Sequence, residues 1–170
     1  GDVYKRQVET VSGQPFLRYV ADNIFGPLQM QRSTFQQPYP EELARDLAMG
    51  YIDVFGSYRP QPAGYSQVYP AGGLLTTATD MGRFMLAHLQ DGRYGGGQIL
   101  TAETARVMHR QQFTQHPKLP GLAYGFWEEY THGKRALMHL GEGLGFANWL
   151  YLLPEEHLGF FISTNRRDFC

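Results

Sequence analysis

The sequence predicts an α+β domain in which a helical region is followed by an antiparallel sheet. Three observations carry that expectation. Apolar residues recur at helical spacing in the first part of the chain, whereas after Pro120 they alternate in short runs of strand length. The last two runs are joined by only Pro154-Glu155-Glu156-His157, a polar connector short enough to require antiparallel pairing.

Taken in order, the elements follow from local chemistry. Residues 1–7, GDVYKRQ, carry no apolar period and are read as a non-native or linker segment. Phe16, Val20 and Ile24 recur every fourth residue, which predicts a helix beginning near Gln14 and ending before Gly26-Pro27. From Gln31 to Tyr69 the text is rich in Pro, Gln, Gly and Tyr and reads as loop, apart from one helical turn over 41–47. Thr77-Ala78-Thr79-Asp80 has capping-box spacing, and Met81, Phe84, Met85, His88 and Leu89 then share one helical face up to Asp91-Gly92. After the Gly95-Gly96-Gly97 turn, Thr101 caps a second helix, AETARVMHR. Strands are predicted over 123–130, 135–139, 146–153 and 158–165.

A length of 170 residues, 42% of them apolar, suits one domain with a real core and is short for two. Residues 8–170 are therefore read as a portion of one domain, with 8–115 mainly helical and loop and 116–170 forming the sheet. Both ends read as cut, the C-terminal one directly after an apolar strand. Fifteen Lys and Arg against 16 Asp and Glu leave no field to gather phosphate, so nucleic acid is not an expected partner. The single cysteine, Cys170, excludes an internal disulfide. No apolar run approaches the roughly 18 residues of a membrane span. His109, His116, His132 and His157 lack metal-ligand spacing, and neither a metal nor a cofactor is expected.

The segment that speaks of chemistry is His139-Leu140-Gly141, placed before a Gly-rich turn and two apolar strands. A polar triplet on an exposed strand can set a side chain and a backbone N–H against a substrate carbonyl. Two further blocks stand in a fixed order before it: ETVSGQPFLRYVADNIFGPLQM over 9–30, and YPAGGLLTTATDMGRFMLAHLQDG over 69–92. Together with MHLGEGLGFANWLYLLPEEHLGFFISTN over 138–165, they resemble the serine β-lactamase-like hydrolases, a family that takes in β-lactamases, D-Ala-D-Ala carboxypeptidases and related esterases. The resemblance runs from Val8 to Asn165, corresponds to the C-terminal half of that family's domain, and departs from its pattern at Gln29, where a Gly is usual.

The resemblance implies a β-lactamase/transpeptidase-like fold and acyl transfer through a serine ester. It makes His139, Leu140 and Gly141 catalytic-motif residues, with His139 where many relatives have Lys. It places the Glu142 backbone N–H in half of an oxyanion hole and Asn165 near a substrate carboxylate. The implied partner is a small acyl substrate or a peptidoglycan stem peptide, and the implied setting lies outside the cytoplasm. The nucleophile is missing: Ser12, Ser33, Ser57, Ser66 and Ser163 are followed three residues later by Pro15, Gln36, Pro60, Tyr69 and Arg166, and no Tyr-x-Asn occurs. The chain by itself is accordingly expected to be inert, and unstable through an exposed sheet edge and apolar face. Two other readings stand beside this one: a non-catalytic relative that binds peptidoglycan or protein, and a freestanding structural domain.

Blander roles are assigned elsewhere. Gly141-Glu142-Gly143-Leu144-Gly145 is read as a tight turn, because a dinucleotide loop needs a helix after it. Ala71-Gly72-Gly73 is either a close backbone approach near the site cleft or simply a turn before the helix that follows Thr77. Tyr69, Tyr124, Phe126 and Trp149 are expected in the core, and Asp80 as a helix cap rather than an acid.

Overall fold

The computed structural model describes residues 2–143 and 145–167; Gly1, Leu144 and Cys170, all discussed above, lie outside them. Helix α1 spans Asp2–Ser12, so residues 2–7 are helical where no regular structure was expected. Tyr4, Val8 and Val11 recur at helical spacing, a period that becomes visible only when residues 2–7 are read together with 8–12, and Lys5, Arg6, Gln7 and Glu9 between them are good helix formers. Gly13 ends the helix at φ +68°, and the Glu9 carboxylate accepts the Phe16 N–H at 2.9 Å, joining it to α2. Helix α2, Phe16–Val20, continues as a π-turn over Ala21–Phe25 and stops at Gly26 as predicted.

Next come α3 (Glu41–Ala44), strands β1 (Gly50–Val54) and β2 (Ser57–Gln61), and α4 (Tyr69–Gly72). The β1–β2 hairpin corrects the expectation of loop throughout this region. Its turn is Phe55-Gly56, with φ of 52° and 81°. A Phe in the left-handed region is a poor turn signal, and Pro60 inside β2 argues against a strand unless that strand is an edge, which β2 is. Helix α5 (Ala78–Leu89) begins at Thr77, whose Oγ1 accepts the Asp80 N–H at 3.2 Å. The β3–β4 hairpin (Arg93–Tyr94, Gly97–Gln98) follows, then α6 (Ala102–His109), capped by Thr101.

The main sheet is antiparallel with order β5-β6-β7-β8-β9: Leu122–Ala123, Phe126–Thr131, Lys134–Gly143, Phe146–Leu153 and Leu158–Thr164. The run predicted over 123–130 is broken by a turn at Tyr124-Gly125, and Tyr124 is exposed rather than in the core. Strand β10 (Arg166–Arg167) lies parallel to β1 and completes a small sheet of order β10-β1-β2. The molecule is α+β, as the sequence predicted.

Pairing register sorts the main sheet into two faces. Inward, Phe126, Leu137, Leu150, Leu152 and Phe161 pack on Met81, Met85 and Leu89 of α5. The other side of α5 carries Ala87 against Leu28 and Met30. Outward, the rows Met138/Tyr151/Phe160 and Leu140/Trp149/Ile162 are also apolar, and Tyr151 and Phe160 stack at 4.7 Å. Phe160 and Ile162 are exposed.

Two tight joints fix the sheets. Gly145 sits at φ +83°, and a Cβ there would lie 2.5 Å from Tyr51 N and 2.8 Å from Gly50 C. At the inner face, His88 on α5 is 3% exposed, and its Nδ1 meets His109 Nε2 of α6 at 2.9 Å beside the Phe84 and Phe126 rings. Burial, reinforced by His109, pushes His88 down to about 4. Burial and Arg135 lower His109 as well, against an opposing pull from Asp91.

Both imidazoles are neutral when folded and take up protons more readily when unfolded. Stability is therefore full above the ordinary histidine range, declines as pH falls below about 6.5, and reaches its full loss near 4, with His88 contributing roughly 3 kcal/mol. Urea midpoints measured at about pH 7.5 and pH 4.5 should differ accordingly, and His88→Gln should flatten the difference; equal midpoints for the native chain would contradict this account. Gly145→Ala should cost roughly 2 kcal/mol or more, since backbone of β1 must move, and should speed hydrogen exchange at the Tyr51 amide.

Candidate functional site

The strand that carries the predicted motif outruns one neighbour. The β6–β7 ladder ends at the Trp127–Met138 pair, whereas β7 and β8 stay paired through His139–Leu150, Gly141–Asn148 and Gly143–Phe146. Among the described residues, His139 to Gly143 therefore offer a strand edge that β6 does not cover. On such an edge, alternate N–H and C=O groups point away from the sheet and can pair with an extended ligand. The Gly-rich segment is extended as far as Gly143, so the tight turn expected over 141–145 does not include Gly141, Glu142 or Gly143.

The three motif residues lie in a row on this edge. His139 is exposed, and its imidazole stacks on the indole of Trp127 with centroids 5.2 Å apart and planes 16° from parallel. Leu140 is half-buried on the outer face, opposite Trp149. The Gly141 carbonyl accepts the Asn148 side-chain amide at 3.0 Å. Glu142, also exposed, pairs with Ala147.

Asn165 is set apart from the other four. It follows the end of β9, two strands away from β7, a lateral distance of roughly 10 Å at ordinary strand spacing. Its side-chain amide donates to the Met49 carbonyl at 2.9 Å, and its own carbonyl accepts the Tyr51 N–H at 2.8 Å. These bonds make it a brace between β9 and β1.

Two neighbours of the motif were not singled out in the sequence: Trp127 and Asn148. Asn148 had a signal, because pairing Gly143 with Phe146 puts it directly opposite Gly141. Trp127 had none at that range. Gly73 follows the α4 turn that precedes α5 and is tightly packed there, since a Cβ on it would lie 2.5 Å from Gln37 Nε2 and 2.7 Å from Tyr69 Cβ.

Other polar groups serve the fold. The Asp80 carboxylate, 2% exposed, accepts from the Arg32 N–H and the Ser33 hydroxyl, each at 2.8 Å, and pairs with Arg83. Thr77 is the cap, and Asp80 fastens the 32–33 segment to the start of α5. Glu128 is also buried. Burial alone would raise its carboxyl, but hydrogen bonds from Gln111, Arg135 and the Gly121 N–H, with the Arg135 charge, hold it below the usual carboxylate range. Glu128 lines a shallow depression with Gln111, Pro117, Lys118, Leu119 and Tyr130, away from every predicted site residue. Among the described residues no group of three or more His, Cys, Asp or Glu is placed to hold a metal, and no helix is long and apolar enough to cross a membrane.

Comparison with known proteins agrees with this architecture. The family model described as Beta-lactamase matches residues 3–169. Penicillin-binding protein 4 of Amycolatopsis lactamdurans is 34% identical over 171 aligned residues, covering 94% of this chain and 44% of the relative. The octameric penicillin-binding protein homologue from Pyrococcus abyssi superposes with a TM-score of 0.80 at 27% identity, over 95% of this chain and 36% of that one. A class C β-lactamase shares the fold at a TM-score of 0.77 and 14% identity, over 95% of this chain and 49% of its own. The chain thus spans less than half the length of these relatives. A helical layer on an antiparallel sheet, with a His-Leu-Gly strand at its open edge and a family match over nearly its whole length, places this chain in the β-lactamase family of serine hydrolases.

Proposed function

We propose that the chain supplies the substrate-facing strand of a hydrolase that acts through an acyl-enzyme on ester, amide or β-lactam bonds. The observation that supports this reading is the open β7 edge from His139 to Gly143. An extended acyl donor, such as a peptidoglycan stem peptide, would add to that edge by backbone pairing. In that pose His139 hydrogen-bonds a substrate carboxylate or assists proton movement, Leu140 and Gly141 present backbone to the ligand, and the Glu142 N–H polarises the scissile carbonyl. Asn165 acts from behind, by holding β1 against the end of β9, instead of touching substrate.

Catalysis also requires a nucleophile and a base, and the 170 residues hold neither Ser-x-x-Lys nor Tyr-x-Asn. We therefore take the chain by itself to lack turnover. The reading as a peptide-binding relative without catalysis draws on the same open edge, because pairing of a ligand strand does not depend on a nucleophile.

Incubation of the chain with a chromogenic β-lactam and with a p-nitrophenyl ester should give rates no higher than those of a His139→Ala control; faster turnover by the native chain would overturn the proposed inertness. In a longer parent that carries Ser-x-x-Lys, His139→Ala should lower kcat/KM by roughly 100-fold, the scale of a lost proton-transfer or oxyanion contact. An unchanged kcat/KM would remove His139 from the site.

A further inference from the structure

Trp127 and His139 meet although strand alternation assigns them to opposite faces of the sheet. Trp127 pairs directly with Met138, so the period of two puts its side chain on the outer face with Met138, while His139 follows Leu137 on the inner face. The rings nevertheless lie 5.2 Å apart and nearly parallel. The ladder explains how. The recorded β6–β7 pairs stop at Trp127–Met138; the next residue of β6, Phe126, pairs with Ala123 of β5 and not with His139, so the two rings meet where the ladder ends.

We infer that Trp127 is a positioning residue for His139, a role that rests on the reading of β7 as the substrate-facing strand. An exposed histidine on an open edge would sample several side-chain rotamers, and each wrong one moves the ring nitrogens by ångströms. Stacking on the indole removes that freedom at the cost of ordering one side chain, and an offset aromatic pair is favourable beyond its buried area. Trp127 is itself 43% exposed, which is unusual for a large aromatic whose sole use is packing. Its indole marks the end of the covered ladder, so it also fixes where on β7 a ligand strand can begin to pair.

The test uses the complete 170-residue chain, isotope-labelled, with the His139 ring resonances assigned by their loss in His139→Ala. The indole ring current should place them upfield of the exposed His132 and His157 signals. Trp127→Leu keeps apolar bulk without a ring and should move the His139 lines into the range of those two histidines; Trp127→Phe, with a smaller ring current, should leave them between. Leu137 and Leu152 methyl signals report that each variant is folded. Unmoved His139 lines in folded Trp127→Leu would overturn the inference, as would full displacement in Trp127→Phe.

An acetylated peptide ending in D-Ala-D-Ala, titrated into the native chain and into Trp127→Leu, separates this inference from the functional reading beneath it. Binding that shifts the Gly141 and Glu142 amides and weakens roughly twofold to tenfold in the variant supports both. Equal affinities would overturn the positioning role while leaving the substrate strand in place. Absence of binding to the native chain would count against the substrate strand, and the His139 lines would then decide the stack independently.

Discussion

Helix α5 is the constraint on which the remaining structure depends, because it is packed on two sides at once. Met81, Met85 and Leu89 fill the inner face of the main sheet, while Ala87 closes on Leu28 and Met30. Only a residue as small as Ala lets the second layer approach there. Asp80 adds a fixed rotation about the helix axis: its buried carboxylate takes the Arg32 N–H and the Ser33 hydroxyl, so α5 cannot turn without breaking bonds that water is not present to replace. The sheet in turn receives a packed inner surface, and β7 runs past its pairing with β6 without losing its pairing with β8.

The balance between β6 and β8 then shapes the candidate site. A strand flanked on both sides has no hydrogen-bonding capacity left for a ligand, and one flanked on neither would not hold its shape. Among the described residues, the stretch from His139 to Gly143 is paired with β8 and not with β6, which holds it in strand form while one border stays outside the ladder. Asn148 strengthens the paired side by reaching back to the Gly141 carbonyl. The motif is thus less a set of reactive side chains than a length of backbone with one edge left open.

Much of this was legible in the sequence because it is written in local terms. Helix α5 announced itself through Thr77 and a regular apolar face, and β8 and β9 through alternation about a short connector. What escaped notice depends on distant partners. The period of helix α1, Tyr4, Val8 and Val11, straddles the boundary drawn at Val8, and the β1–β2 hairpin contains a left-handed Phe55 in its turn and a Pro60 in β2 that locally argue against it. The His88–His109 pair joins two helices 21 positions apart, and no spacing rule anticipates it. At the candidate site, His139 to Glu142 stand out in the sequence because they are contiguous, Asn148 needs the register of two strands, and Trp127 needs the point at which a ladder stops.

Two strand borders of the molecule, the outer edge of β2 and the overhang of β7, are guarded very differently. Along β2, Pro60 lacks an N–H and Arg59 adds charge, so a foreign strand arriving there finds an interrupted template. Along the overhang of β7, Gly141 and Gly143 present bare backbone with no side chain to obstruct an incoming chain. Self-association by strand exchange, when concentration or damage drives it, is thereby disfavoured at β2 relative to the overhang of β7.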